Sequence, residues 1–224
     1  MTIKSIDREQ DTPRLIVVEG PIGVGKTSLA KRLAESLSGS LMLEDIESNP
    51  FLDRFYQRGH GALPAQLFCL FQRAKQLETL RQSDLFSSLY VADYHIEKDR
   101  LFAAVTLDSS EMTLYDQIYE KMDINAAIPD LVIYLQANPN VLLERIAQRN
   151  IPSERFIDRL YLENITETFA RHYHNYDDGP LLIVNTTSID PINNENDYEQ
   201  LLEQINITKV GRHFFNPLSV VGFS

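Results

Sequence analysis

Residues Gly20-Pro21-Ile22-Gly23-Val24-Gly25-Lys26-Thr27 form a complete G-x-x-x-x-G-K-[ST] loop. The apolar run Leu15-Ile16-Val17-Val18 precedes it, and the helical pattern Ser28-Leu29-Ala30-Lys31-Arg32-Leu33-Ala34 follows. A strand, a glycine loop and a helix in that order make a nucleoside-triphosphate site. Glycines at 20, 23 and 25 let backbone N–H groups turn inward around phosphate oxygens, and the positive end of the helix, entered through Ser28, adds its dipole to the same anion. Lys26 is expected to reach the β- and γ-phosphates, and the Thr27 hydroxyl to ligate Mg²⁺. A turn that merely joined strand to helix would require neither lysine nor threonine at that point.

Four further apolar runs, Leu41–Leu43, Leu89–Ala92, Leu131–Leu135 and Leu181–Val184, are short, bounded by polar or turn residues and separated by longer helical patterns. With Leu15–Val18 they predict an α/β fold in three layers, a central five-stranded parallel sheet flanked by helices on both faces. At 224 residues and 43% hydrophobic content the chain suits one domain over 1–224. Leu67, Leu70, Phe71, Ala74, Leu77 and Leu80 give the stretch Pro64 to Gln82 the spacing of an amphipathic helix. Asn138-Pro139 reads as a helix start, and Asp158 as the cap of a helix running towards His174. Residues Ser188 to Asp197 read as a loop. The tail 211–224, with Phe214, Phe215, Pro217 and Phe223, has no clear period and reads as a packed tail or a dimer contact.

Charge narrows the partners. With 21 basic against 32 acidic residues the net charge is −11, which repels a nucleic-acid backbone over most of the surface but allows a small phosphorylated ligand in a basic cleft. Cys69 is the only cysteine, so no intrachain disulfide forms and a reducing, cytoplasmic setting is expected. Its neighbours Leu67, Phe68, Leu70 and Phe71 make it a core filler rather than a nucleophile. No run approaches the ~20 apolar residues of a membrane span, and Met1-Thr2-Ile3-Lys4-Ser5 does not resemble a signal peptide.

A phosphotransferase with this loop needs one carboxylate near Mg²⁺ and another near the acceptor hydroxyl, both at strand ends. Asp93 and Glu44 stand there. Together with Asn49-Pro50-Phe51-Leu52, Phe55-Tyr56, Pro64-Ala65-Gln66, Arg73, Asp93 to Arg100 and Arg145 to Glu154, in that order, the sequence resembles the deoxyribonucleoside kinases, particularly the bacterial deoxyadenosine and deoxyguanosine kinases. The similarity runs from Gly20 to Leu181.

The resemblance implies a P-loop kinase fold with a lid at about 145–157, ATP as phosphoryl donor, Mg²⁺, a deoxynucleoside acceptor and a homodimer. Glu44 would take the proton from the nucleoside 5′-hydroxyl, and Asp93 would assist Mg²⁺. Tyr56 and Glu154 would hold the sugar 3′-hydroxyl. Gln66 offers a donor beside an acceptor to a base edge, and Arg73 and Asp99 would pair beside that base. Arg145 and Arg149 would bring charge over the triphosphate. Ile151 replaces a further lid arginine, with Arg155 close enough to substitute.

Tyr94 stands where relatives carry an arginine after the strand-end acid, and tyrosine cannot neutralise developing charge. Lys98, Arg100 or a lid arginine is expected to supply it. His95 reads as a phosphate contact or as a neutral cap of the following helix. The acceptor that best fits is a purine deoxynucleoside. The competing readings are a nucleoside monophosphate kinase of the thymidylate kinase type and a nucleotide-binding sensor. An Asn-Lys-x-Asp motif, the mark of guanine-specific switches, is absent from the sequence.

Overall fold

The computed structural model describes residues 14–58, 61–82, 89–122, 124 and 126–217. Met1–Ser5 and the end of the tail, Phe223 included, lie outside them. In chain order the elements are β1 (Arg14–Glu19), α1 (Lys26–Ser36), β2 (Ser40–Met42), α2 (Leu52–Arg58), α3 (Ala62–Gln82), β3 (Leu89–Ala92), α4 (Lys98–Thr106), α5 (Ser109–Lys121), β4 (Leu131–Gln136), α6 (Pro139–Arg149), a 3-10 turn (Ser153–Phe156), α7 (Arg159–Asn175), β5 (Leu181–Asn185), α8 (Glu195–Ile207) and β6 (Arg212–Phe215).

The strands form one parallel sheet in the order β2-β3-β1-β4-β5-β6. Among the described residues six strands are present where five were expected. The sixth comes from the tail, whose residues 212–215 pair with β5 from Leu181 to Val184. Its exposure alternates along Arg-His-Phe-Phe, and Phe214 remains 61% exposed. A four-residue edge strand needs only one neighbour, so it lacks the continuous apolar run that marks the inner strands. The other edge behaves likewise: β2 is only partly buried and begins at Ser40.

Side chains alternate across the inner strands. Ile16, Val18, Ile133, Leu135, Leu182 and Val184 pack on one face with Leu29 and Leu33 of α1 and Leu201 and Ile205 of α8. Val132, Tyr134, Leu181 and Ile183 pack on the other with Phe169 and Tyr173 of α7. Each such fully buried side chain contributes roughly 1.5–3 kcal/mol of transfer free energy. The first-turn signals work as read: Asn138 caps α6 with Pro139 behind it, and Asp158 accepts from Tyr161 N at 2.7 Å to cap α7.

On α3 the expected stripe is only partly the inner one. Leu70 and Leu77 are buried, with Tyr115 of α5, in a separate apolar cluster. Phe71, however, is 54% exposed, while Gln66 and Arg73 are buried. Hydrophobic spacing could not identify this inner face because it is partly polar, a wall of the cavity described next.

Candidate active site

The phosphate loop follows β1 and closes on the first turn of α1. Gly20 and Gly25 take φ of 147° and 103°, which side chains rarely adopt. A Cβ at Gly20 would also lie 2.3 Å from the Leu135 carbonyl oxygen. Lys26 Nζ donates to the carbonyl oxygens of Gly20 at 2.8 Å and Pro21 at 3.0 Å. Glu19, at the buried end of β1, accepts from the N–H of Gly20 and from that of His95, tying the loop to the segment after β3.

A chain of polar contacts runs from this loop into the protein. Thr27 Oγ1 donates to Asp93 Oδ2 at 2.5 Å, and Asp93 Oδ1 accepts from Glu44 N at 2.8 Å. One carboxylate therefore joins α1 to the residues following β2 and β3. Glu44 in turn accepts from Lys98 Nζ at 2.6 Å on Oε2 and from Arg73 on Oε1, while the second arm of Arg73 donates to Asp99. Arg73, Asp99, Lys98 and Asp93 are all buried. Ion pairs of Arg73 with Asp99 and Glu44 and of Lys98 with Glu44, and the two hydrogen bonds accepted by Asp93, make that burial tolerable, since a lone buried charge costs several kcal/mol.

The charges perturb one another. Burial, reinforced by Lys98, brings the Lys26 ammonium down to about 7 against the pull of Glu19 and Asp93. Burial also lowers the pKa of Lys98. It raises Asp99 to about 6 in spite of Arg73.

The predicted residues converge. Gly23, Gly25, Lys26, Thr27, Ser28, Glu44, Tyr56, Gln66, Arg73, Asp93, Arg145, Arg149 and Glu154 all line one cavity of about 900 Å³. Gly20 lies under the loop, and the fully buried Asp99 stands outside the lining and accepts from Arg73. At one end α2 packs on the 3-10 turn, so Tyr56 and Glu154 share a wall. Arg149, the last residue of α6, donates through Nε to Glu154 at 3.0 Å and through its terminal nitrogen to the other oxygen. Arg145 is held differently, with bonds to Thr186 Oγ1 at 3.1 Å and Thr186 O at 2.8 Å beside the loop. Arg155 bonds Asn150 and lies outside the cavity lining, whereas Ile151 is part of it.

Three residues differ from their sequence reading. Tyr94 is 1% exposed and is not part of the cavity lining, its ring lying 5.9 Å from the Arg73 guanidinium. His95 is buried beside Glu97 and Tyr176, outside the cavity lining, and burial lowers its pKa; α4 starts without a side-chain cap. Cys69 is a cavity-wall residue rather than a core filler, with Asn49 Nδ2 at 3.3 Å and its thiol pushed up to about 11 by burial. Of the cations weighed for position 94, Lys98 lines the cavity, while Arg100 pairs with Asp116 at 2.9 Å on the surface. Residues Asp190 to Asn193, expected only as a loop, close the far side of the phosphate loop, with the Ile192 side chain facing Gly25. Their sequence gave no sign of this because the contact spans the sheet.

A phosphate loop whose threonine is chained through one carboxylate to the backbone N–H of a second acidic residue, whose own carboxylate lines the same cavity, meets the needs of a phosphotransferase with a small acceptor. Fold and site together define that class. Residues 16–209 match the family model described as deoxynucleoside kinase, and the chain belongs to that family. It is 32% identical to a deoxyguanosine kinase of Bacillus subtilis over 203 residues, 87% of this chain and 97% of the relative. It is 29% identical to a deoxyadenosine/deoxycytidine kinase of the same organism, over 88% of this chain and 95% of the relative. The structure of a deoxyadenosine kinase from M. mycoides with bound dATP superposes with a TM-score of 0.75 at 22% identity, over 86% of this chain and 99% of the other.

Proposed function

We propose that the protein transfers the γ-phosphoryl group of ATP to the 5′-hydroxyl of a purine deoxynucleoside, giving the monophosphate and ADP. The observation that carries this reading is the run of contacts from Thr27 through Asp93 to the backbone of Glu44, which supports Glu44 as the general base beside the phosphate loop. The relatives named for deoxyguanosine and deoxyadenosine support the purine.

In this reading the loop amides and Lys26 hold the β- and γ-phosphates. Thr27 and Asp93 are hard oxygen donors side by side, the set Mg²⁺ prefers, and they would hold it between them. Bound there, Mg²⁺ neutralises charge on the phosphate oxygens. Glu44 takes the 5′-hydroxyl proton; a carboxylate has about four acceptor sites, so Lys98 and Arg73 leave it room. Lys98 supplies the cation missing at position 94, and Arg149 adds charge from the lid. Tyr56 and Glu154 hold the 3′-hydroxyl, and Gln66, Arg73 and Asp99 receive the base. The protein acts as a homodimer; exposed Phe71 on α3 and Leu114 on α5, two helices that pack together, support that, and light scattering should return the mass of two chains.

The test is ADP release by purified protein with ATP and Mg²⁺ across the four deoxynucleosides and thymidylate. Turnover with deoxyadenosine or deoxyguanosine is expected. Turnover with thymidylate alone overturns the acceptor, and ATP binding without release on any of them indicates a sensor.

A further inference from the structure

Glutamine is an ambiguous reader of bases, because turning its amide over exchanges donor and acceptor. In this protein a residue outside the cavity removes the ambiguity. Gln66 Nε2 donates to Thr106 Oγ1 at 3.1 Å, and Thr106 Oγ1 donates to the carbonyl oxygen of Phe102 at 2.8 Å, one turn back in α4. A hydroxyl has a single proton. With that proton given to Phe102, Thr106 meets Gln66 as an acceptor, which only the NH₂ end of the amide satisfies. Turning the amide over would set two oxygens against each other or draw the hydroxyl off Phe102; either way one hydrogen bond is lost, a bias of roughly two- to tenfold.

Gln66 lines the cavity and Thr106 does not, so the substrate meets an amide already biased towards one sense. Adenine and cytosine present an amine donor beside a ring-nitrogen acceptor. Guanine and thymine present the reverse, a carbonyl acceptor beside a ring N–H. An amide held one way pairs with one of these classes in a given binding pose, and the turned amide pairs with the other.

We propose that Thr106 is a positioning residue for base specificity, setting the preference between amine-bearing and carbonyl-bearing bases by pinning the Gln66 amide. The proposal rests on the deoxynucleoside kinase reading above. It makes the hydroxyl of Thr106, rather than its bulk, the determinant, because the methyl group takes no part in the relay.

The experiment compares kcat/KM for deoxyadenosine and deoxyguanosine in the wild type, Thr106→Val and Thr106→Ser. In the wild type the two values differ. Thr106→Val should bring their ratio at least about threefold closer to one, mainly through KM, with kcat on the better substrate within about twofold; Thr106→Ser should keep the wild-type ratio. An unchanged ratio in Thr106→Val overturns the proposal, as does Thr106→Ser behaving like the valine variant, or a wild type that does not discriminate. Should the valine variant fail to show a cooperative thermal transition, Thr106→Ala gives the same reading. No turnover of any deoxynucleoside by the wild type is a different failure, that of the kinase reading itself.

Discussion

Lys26 and Lys98 are lysines held where burial opposes their charge. Because Lys26 falls to about 7 in the folded protein from 10.5, the unfolded chain binds more protons between those values. The ligand-free protein should therefore gain stability as pH rises through that window, and Lys26→Met should flatten the gain in urea titrations at pH 7 and 9. A bound triphosphate favours the ammonium, so binding at pH 8 should take up protons, and the uptake should fall towards zero by pH 6. Calorimetry in two buffers of different ionisation enthalpy measures it. Lys98 should affect chemistry more than binding: Lys98→Met is expected to lower kcat by ~10²–10³, the usual cost of a lost charge contact, with KM for ATP little changed. A steady-state comparison with Arg100→Ala, expected to be near wild type, checks the assignment. Lys98 could be named from sequence only as one of several candidates, because Glu44 is 54 residues away and no local pattern links the two.

Among the elements, the inner strands and capped helices were the most legible. Continuous apolar runs such as Leu131–Leu135 require burial on both faces, and Asp158 satisfies one orphan N–H, that of Tyr161, at the start of α7. Asp158→Ala should cost ~1 kcal/mol, a fall in Tm of roughly 2–4 °C for a chain of this size, readable by circular dichroism. The edge strand β6 was not legible, since one paired side imposes no full apolar run, whereas β2 was read from Leu41–Leu43 and lies at Ser40–Met42. On α3 the sequence shows amphipathicity, but Gln66 and Arg73 share the inner side with Leu70 and Leu77, so spacing alone misassigned Phe71.

For the molecule as a whole, the phosphate-loop side and the Glu44 side of the cavity come from segments far apart in sequence, joined across the ends of β1, β2 and β3. Mg²⁺ with ATP should raise Tm by a few degrees, chelation of the metal should remove most of that gain and abolish turnover, and Asp93→Asn should mimic the loss in a thermal-shift titration. The phosphate loop, the parallel α/β class and the two carboxylates were fixed by local chemistry: glycine backbones, apolar runs and strand-end acids carry their meaning within a few residues. Tertiary structure alone decided that Tyr94 turns inward while Lys98 meets Glu44, that the tail supplies a sixth strand, and that Thr106 stands behind Gln66. Those outcomes depend on which side chains meet across separate elements, and such meetings are set by packing and the pairing of buried charge rather than by spacing along the chain.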